Sequence, residues 1–298
     1  MKVLLTGSTG FVGRGILAQL IDAGYEPVCL VRPGSEPNLK LTAPGKIRLV
    51  PGDLFDQQSL ANALQDCDAV IHLVGIIRED RGKGNTFPRI HINGTQNLLE
   101  AAKKAKVMHF IHMSALGARA NATSPYHQTK YEAEQLVVHS GIPYTIFRPS
   151  VIFGPDDEFV NMLAGLVRLP VTPVLGDGSY RLQPVSRQTV AEVFTEALSN
   201  SKAIGETFDV GGPEQLRYTE LLDQIGQALH KEKVRKIHLP LALMKPVINL
   251  MEGFPFFPIT NTQLTMLLEE NICTDNEKLY RTFSTEKIPF YEGISTYL

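Results

Sequence analysis

Three glycines near the start of the chain constrain the fold most strongly. Gly7, Gly10 and Gly13 lie between a short apolar segment and a helical run, Arg14–Ala23. In this strand–turn–helix order, the first glycine permits a tight turn. The second lets the backbone approach a phosphate, and the third lets the helix pack on the sheet. Free N–H groups at the helix N-terminus attract anions, so the segment predicts a pyrophosphate site. An ordinary glycine turn is the alternative.

Strand-like and helix-like segments alternate through the first half of the chain. The predicted strands are Lys2–Thr6, Glu26–Val31, Ile47–Pro51, Ala69–Val74, His109–Met113 and Tyr144–Phe147. The predicted helices are Gly13–Ala23, Ser59–Leu64, Ile92–Lys104 and Thr129–Ser140. Short apolar strands separated by helices indicate an α/β fold, with a doubly wound parallel sheet of the Rossmann type.

The pattern becomes less regular beyond Pro149. Amphipathic helices are predicted at Ser186–Leu198 and Thr219–His230, and one more strand begins at Thr207. We predict that residues 1–153 and 180–212 form the dinucleotide-binding domain. Residues 154–179 and 213–298 are predicted to form a smaller mixed lobe that caps the strand ends and binds a substrate.

The amino-acid composition limits the binding partners and the cellular compartment that can be expected. The 298 residues include 29 basic and 31 acidic side chains, and this balance gives no reason to expect nucleic acid or an anionic membrane. The three cysteines are far apart, so we expect buried, reduced thiols. We expect no metal site, no signal peptide and no transmembrane segment, and we expect a cytoplasmic location.

Residues at the ends of predicted strands are candidates for the adenosine side of the cofactor. Arg32 stands where NAD-specific sites carry a carboxylate, and an arginine can pair with a 2′-phosphate, so NADP(H) is favoured over NAD(H). A solvated surface arginine beside a turn is the alternative. Asp53 and Leu54 follow the third strand, where Asp53 either accepts from adenine or caps a turn. Val74 and Gly75 end the fourth strand, where Gly75 either lets the backbone pass close to the cofactor ribose or only ends the strand.

The pair Tyr126 and Lys130 is the second strong signal. Residues four apart share one helix face, and an ammonium near a phenol favours phenolate and lowers the pKa of the phenol. Such a tyrosine transfers protons near neutral pH, and the lysine can also hold ribose hydroxyls. An exposed helix pair is the alternative reading.

These segments together resemble the short-chain dehydrogenase/reductase superfamily, in its extended, epimerase-like branch. The matching segments are 6–13, 93–102, 124–130 and 148–155, and the likeness extends into the second lobe at 176–178, 183–185 and 208–213. The form of residues 113–118 and 148–155 is similar to an atypical branch that includes accessory subunit nine of the mitochondrial complex I alpha subcomplex and its bacterial relatives.

The resemblance implies roles for particular residues. Tyr126 and Lys130 would form the catalytic pair. The glycine segment, with Thr9, Phe11 and Val12, would hold the pyrophosphate, and Pro149, Val151 and Ile152 would border the nicotinamide. Extended enzymes place a serine at the position of Ala115, whereas the candidate hydroxyl here, Ser114, falls one residue earlier. Sugar-nucleotide epimerisation is therefore in doubt.

Two classes of function follow. The first is an NAD(P)-dependent oxidoreductase, or an epimerase/dehydratase-like protein, acting on an unknown small carbonyl or alcohol. The second is a non-catalytic NADP(H)-binding accessory or assembly protein related to a respiratory complex I subunit. Residues 239–258 form an apolar stretch that ends in Phe254–Pro258. Four interpretations of this stretch are open: it packs in a core, lines the substrate cleft, contacts a protein partner or touches a membrane surface.

Overall fold

The computed structural model describes residues 1–39, 44–254 and 259–298. Of the apolar segment Phe254–Pro258, only Phe254 belongs to the described residues; its remaining positions lie outside them. Within the described ranges, no helix has both the length and the apolar character needed to cross a membrane.

Thirteen strands and eleven α-helices are present in the described residues. The strands are β1 Lys2–Thr6, β2 Glu26–Val31, β3 Arg48–Pro51, β4 Ala69–His72, β5 His109–Met113, β6 Tyr144–Pro149, β7 Ile152–Phe153, β8 Thr172–Leu175, β9 Arg181–Leu182, β10 Val185–Ser186, β11 Glu206–Val210, β12 Leu216–Arg217 and β13 Lys236–Leu239. The helices are α1 Phe11–Asp22, α2 Gln57–Ala63, α3 Gly94–Lys104, α4 Pro125–Val138, α5 Glu158–Arg168, α6 Arg187–Glu196, α7 Tyr218–Ala228, α8 Leu241–Met251, α9 Asn261–Leu268, α10 Asn276–Thr282 and α11 Phe290–Ile294.

Seven strands form one parallel sheet in the order β11-β6-β5-β4-β1-β2-β3. This order confirms the predicted doubly wound sheet, because the chain moves outward in both directions from β1 and β4. Parallel strands place all their carboxyl ends at one edge, and ligands of such sheets bind where the strand order reverses. That reversal lies between β1 and β4, directly beside the glycine turn.

The chain divides into two compact units. The first contains Met1–Pro149, Arg187–Val210 and Asp275–Thr285, and the second contains Ser150–Ser186, Gly211–Thr274 and Glu286–Leu298. A late segment belongs to the first unit because α10 leads Phe283 into an aromatic cluster. The ring of Phe283 lies 5.6 Å from Phe147 and 5.1 Å from Phe208.

One face of the large sheet is covered by α2, α3 and α4. Apolar side chains from the strands and these helices are buried together, and each fully buried one contributes about 1.5–3 kcal/mol to stability. They include Leu4, Val70, Phe110, Leu60, Leu98, Leu99 and Val137. This packing fixes the positions of α3 and α4 over the sheet, and α4 carries the Tyr126–Lys130 pair.

The second unit is built differently. Its strands form two-stranded pairs, β10 with β7, β12 with β9 and β13 with β8. Its core is apolar, with Phe153 edge-on to Phe290 at a ring separation of 5.2 Å. The predicted helices at Ser186–Leu198 and Thr219–His230 correspond to α6 and α7, of which α7 belongs to this unit.

Candidate functional site

The three glycines of the first turn have different structural roles. Gly7 has a positive φ of 79°, which favours glycine. Gly13 packs so closely that a Cβ would lie 2.1 Å from the Gly7 carbonyl oxygen. Gly10 is exposed and has extended backbone, and a Cβ there would meet only that carbonyl oxygen, at 3.3 Å. Gly7 and Gly13 therefore hold the turn, whereas Gly10 leaves its outward side open.

The residues around this turn suit an anionic ligand. Gly10 is the N-cap of α1, and the first turn of that helix holds no acidic residue. Thr9, Phe11 and Val12 are half-buried at the same turn. The Arg14 guanidinium donates to the Thr9 carbonyl at 3.2 Å and so places a positive charge beside it. Backbone amides at a helix N-terminus, with a cation beside them, match the needs of a pyrophosphate.

The adenosine-side candidates lie at the carboxyl ends of β2 and β3, which are neighbours in the sheet. Arg32 is exposed. Asp53 acts as a turn residue, because its Oδ1 accepts from the Phe55 amide at 2.9 Å. The carbonyl of the buried Leu54 accepts from the Asn97 side chain at 3.1 Å. The turn role considered for Asp53 is therefore present, and Arg32 carries the exposed charge.

The next candidates follow β4. Val74 is half-buried and Gly75 is exposed. A Cβ at Gly75 would lie 3.4 Å from the Lys130 Nζ and 3.5 Å from the His91 Nε2. The Gly75 backbone thus runs directly beside the Lys130 ammonium, so the structure brings these two candidates together.

Tyr126 and Lys130 both lie on α4 with buried side chains. The Tyr126 ring meets Phe87 and His91 edge-on, with ring centres 5.9 Å and 5.5 Å away. Lys130 Nζ donates to the Met113 carbonyl oxygen at 2.6 Å, at the end of β5. The alternative of an exposed helix pair is therefore wrong.

Burial governs the acid–base properties of this pair. It raises the pKa of Tyr126 to about 12 and lowers the pKa of Lys130 to about 8, while Glu134 partly opposes the shift of Lys130. The expected lowering of the Tyr126 pKa is wrong. The desolvation of a phenolate among aromatic rings outweighs the attraction of an ammonium that is bonded to the Met113 carbonyl.

A buried ion pair anchors α4. Arg148 on β6 donates from Nε and Nη2 to the Glu134 carboxylate, at 2.7 Å and 2.6 Å. Glu134 is only 2% exposed. Two parallel hydrogen bonds fix the helix against the strand more narrowly than packing alone.

Buried histidines form a part of the site that the sequence reasoning missed. The Thr95 hydroxyl donates to the His91 carbonyl at 2.6 Å, so His72 Nε2 must donate to Thr95 Oγ1, 3.1 Å away. His72 Nδ1 then accepts from the Thr6 hydroxyl at 2.7 Å. This chain of bonds ties the strand before the glycine turn to α3.

His91 continues the connection to α4. Its Nε2 accepts from the Ile76 amide at 3.1 Å, which leaves Nδ1 to donate to Thr129 Oγ1 at 2.9 Å. His91 lies in a π-helical turn, Pro88–Asn93, that precedes α3. Such turns are often found at functional sites. The prediction of an α-helix from Ile92 missed this turn.

The hydroxyl candidates lie after β5 and before α4. Ser114 is 4% exposed, and Ala115 follows it at the position where extended enzymes carry serine. Ser124, fully buried, is the N-cap of α4 but makes no capping bond with its side chain. Among the described residues, neither the Ser114 nor the Ser124 hydroxyl has a hydrogen-bond partner. The sequence did not single out Ser124 as a candidate, because the feature that distinguishes it is the burial of its hydroxyl, which is visible only in the folded structure.

The candidates for the nicotinamide side, Pro149, Val151 and Ile152, are divided between the two units. Pro149 ends β6 in the first unit, and its carbonyl accepts from the Leu116 amide at 2.9 Å. Val151 and Ile152 belong to the second unit, where Ile152 pairs in register with Val185. They are half-buried.

The sequence model of the NAD(P)H-binding family matches residues 7–201. This chain belongs to the NAD(P)H-binding family. The matched region contains the glycine turn, Arg32 and the Tyr126–Lys130 pair. NAD(P)H binding is therefore a family property that the geometry of the first unit fits.

Individual relatives confirm the resemblance to the short-chain dehydrogenase/reductase superfamily. The chain is 28% identical over 283 residues to the mitochondrial NADH-ubiquinone oxidoreductase 40 kDa subunit of Neurospora crassa, covering 94% of this chain and 74% of that protein. It is 33% identical over 178 residues to ceramide reductase of Caulobacter vibrioides, covering 59% and 55%.

The solved structures show the same fold. The dTDP-glucose 4,6-dehydratase DesIV of Streptomyces venezuelae superposes with a TM-score of 0.79 at 22% identity, over 99% of this chain and 95% of that one. At this identity the likeness concerns the architecture, and it agrees with the seven-stranded sheet.

Proposed function

We propose that this chain is an NADP(H)-dependent oxidoreductase that reduces a small carbonyl compound. The observation that carries the proposal is the arrangement of Tyr126 and Lys130, which lie buried on one face of α4 at the carboxyl edge of the sheet. A nicotinamide bound there would supply hydride. The residues of this chain would orient the carbonyl and provide the proton.

The acid–base properties favour reduction over alcohol oxidation. With a pKa of about 12, Tyr126 is a protonated phenol at neutral pH. A protonated phenol can donate to the oxygen of a carbonyl under reduction, whereas oxidation of an alcohol needs phenolate. Lys130, with a pKa of about 8, is charged at neutral pH and stabilises negative charge that develops nearby.

A second hydroxyl would complete the support for the substrate oxygen. Ala115 offers none, so Ser114 and Ser124 are the candidates, because both hydroxyls are buried without a partner among the described residues. A buried hydroxyl with no bond costs stability, and a ligand oxygen that accepts from it would recover that cost.

The cofactor preference and the cellular setting belong to the same proposal. Exposed Arg32 favours NADP(H) over NAD(H). The three cysteines are buried and form no disulfide with one another, which agrees with a reducing compartment, and we place the protein in the cytoplasm. The substrate would bind to side chains of the second unit that lie outside its apolar core.

Substitution of Tyr126 tests the catalytic role. Tyr126→Phe keeps the ring and removes only the transferable proton, so turnover should fall about 100- to 10,000-fold while the Kd for NADPH stays unchanged. The measurement is NADPH consumption across a panel of aldehydes and ketones. Tyr218→Phe is the matched control, because Tyr218 is also buried with a pKa of about 12 but lies in the core of the second unit.

Full turnover by Tyr126→Phe would contradict the catalytic role. If the native chain binds NADPH but turns over no carbonyl, Ala115→Ser supplies the hydroxyl at the family position. A gain of activity then supports a reductase site, and no gain favours the second candidate.

The second candidate is a non-catalytic NADP(H)-binding accessory or assembly protein. It is favoured by Ala115 and by the Neurospora relative, a complex I subunit that aligns with 94% of this chain. In this case NADPH raises the melting temperature without being consumed, and Tyr126→Phe has no effect on the binding of a protein partner.

A further inference from the structure

Helix α8 in the second unit carries an apolar stripe on its outward face. Leu243, Val247 and Leu250 are 68%, 44% and 77% exposed, and Phe254, just past the helix end, is 49% exposed. Positions separated by three, four or seven residues lie above one another on a helix. These four side chains therefore form one continuous surface, the α8 stripe.

The opposite side of the helix is firmly attached, so the stripe has a defined orientation. Ile248 is fully buried. The Asn261 side chain donates to Asn249 at 2.6 Å, and the Asn261 backbone amide donates to the Glu252 carboxylate at 2.9 Å. Contacts on one face thus hold α8 against α9 and leave the leucines on the other.

Positive charge accumulates in the segment that leads into this helix. Five basic residues and one acidic residue lie between His230 and Lys245, although the whole chain has a net charge of −2. Lys233 and Arg235 are exposed, Lys236 is paired with Asp223, and Lys245 lies on the side of α8 opposite the stripe. The overall balance of charge, which gave no reason to expect an anionic membrane, therefore conceals a basic segment that precedes α8.

More apolar side chains are exposed on the neighbouring strand pair. Ile237 on β13 is 51% exposed, and Leu169 and Val171, just before β8, are 46% and 43% exposed. β13 pairs with β8 and is joined to α8 through Pro240. Exposed apolar residues and basic residues thus occur together in one part of the second unit.

We propose that this face binds an anionic lipid surface. The α8 stripe would insert at the boundary between headgroups and acyl chains, and Lys233 and Arg235 would lie near the anionic headgroups. α8 has 11 residues, against the roughly 20 that span a bilayer, so it would lie in the plane of the surface. The charge favours lipid over a second copy of this chain, whose same face would also be positive.

Vesicle sedimentation with the full chain tests the proposal, independently of the proposed reductase function. The chain should bind vesicles of phosphatidylcholine mixed with phosphatidylglycerol, bind pure phosphatidylcholine more weakly, and lose affinity as salt rises. Joint Leu243→Ser and Leu250→Ser substitutions should weaken partitioning about tenfold or more. Lys233→Gln and Arg235→Gln should each weaken it about fivefold on anionic vesicles only.

Met108→Ser is the matched control, because Met108 is 61% exposed but belongs to the first unit. It should leave partitioning unchanged. Far-UV circular dichroism and NADPH titration on every variant show that the fold is kept. The proposal is overturned if the chain ignores anionic vesicles, or if the leucine pair can be changed without effect. Self-association that disappears with the leucine pair, in a chain that binds no vesicles, assigns the stripe to a second copy instead.

Discussion

Both units contain an arginine that makes two parallel hydrogen bonds to a glutamate. In the first unit, Arg148 and Glu134 are 28% and 2% exposed in their side chains. In the second, Arg181 and Glu270 are 43% and 39% exposed, with bonds of 2.9 Å and 3.2 Å. The chemical groups are the same, and only their access to water differs.

This difference teaches how each unit uses polar side chains. An exposed pair is solvated whether or not it forms, so it contributes little. A buried pair must remain complete, because the loss of one partner leaves a charge without water or a counter-charge. In the first unit, such a buried pair, Arg148 and Glu134, lies at α4, the helix that also carries Tyr126 and Lys130.

Most histidines follow the same division. His72, His91, His109, His112 and His127 are buried in the first unit, where His139 is the exception, whereas His230 and His238 are exposed in the second. Burial lowers the pKa of His72 to about 3, that of His91 to about 2 and that of His109 to about 4, and it lowers the pKa of His112 well below 6.5. The first unit therefore combines its site with a set of neutral imidazoles, of which His72, His91 and His109 are hydrogen-bonded.

The largest effect we predict is acid instability of the first unit. Below pH 6.5 the unfolded chain takes up protons at these histidines while the folded chain does not. The free energy of unfolding should therefore fall steadily as the pH drops from 6.5 towards 4. Circular dichroism melts over this range measure it, and hydrogen exchange assigns the loss to the first unit.

Substitutions sharpen this prediction. His91→Gln should reduce the pH dependence, because one neutral imidazole is removed. His230→Asn should leave it unchanged, since His230 is exposed. Stability that is level from pH 6.5 to 4 would show that the histidines are not held neutral.

The next effect concerns the two ion pairs directly. Arg148→Met should lower the free energy of unfolding by about 3–5 kcal/mol, because Glu134 is left buried and alone. It should also weaken NADPH binding, since α4 loses its anchor. Arg181→Met is the matched control and should leave the denaturation midpoint unchanged. Equal effects in urea titrations would mean that burial does not distinguish the pairs.

The smallest effect we predict is at Arg32. The native chain should bind NADPH about tenfold more tightly than NADH, because an exposed arginine makes one charged contact to the 2′-phosphate. Arg32→Asp should reverse this preference. Lys103→Asp, an exposed change at the C-terminal end of α3, is the control and should not alter it. Fluorescence titrations with both cofactors decide, and equal affinities in the native chain would remove Arg32 from the site.

Much of the first unit was predictable because its pattern is local. The predicted bounds of β1, β2 and β5 agree with the structure residue for residue. The structure of the second unit was harder to predict from the sequence. β8 and β13 pair in parallel across more than sixty residues of sequence, and local periodicity carries no information about such a partner. Pro246 lies inside α8, although proline is unfavourable within a helix.

The positions of the candidate residues were predictable, but their properties were less so. The spacing of Tyr126 and Lys130 placed them on one helix face. Their pKa values depend on burial and on the Met113 carbonyl, which the spacing does not contain. The π-helical turn around His91 depends on Thr129, nearly forty residues later, so the sequence near His91 gives little indication of it.

NADPH titration of Gly10→Val tests the central claim, that the dinucleotide binds across the turn between β1 and α1. A Cβ at Gly10 would meet only one carbonyl oxygen of the protein, at 3.3 Å, so the fold should be kept while the space for the pyrophosphate is filled. Gly165→Val is the matched control, because a Cβ at Gly165 on α5 meets nothing within 4 Å. We predict that the native chain and Gly165→Val bind NADPH equally and that a folded Gly10→Val does not bind it. Native affinity in Gly10→Val would contradict the account.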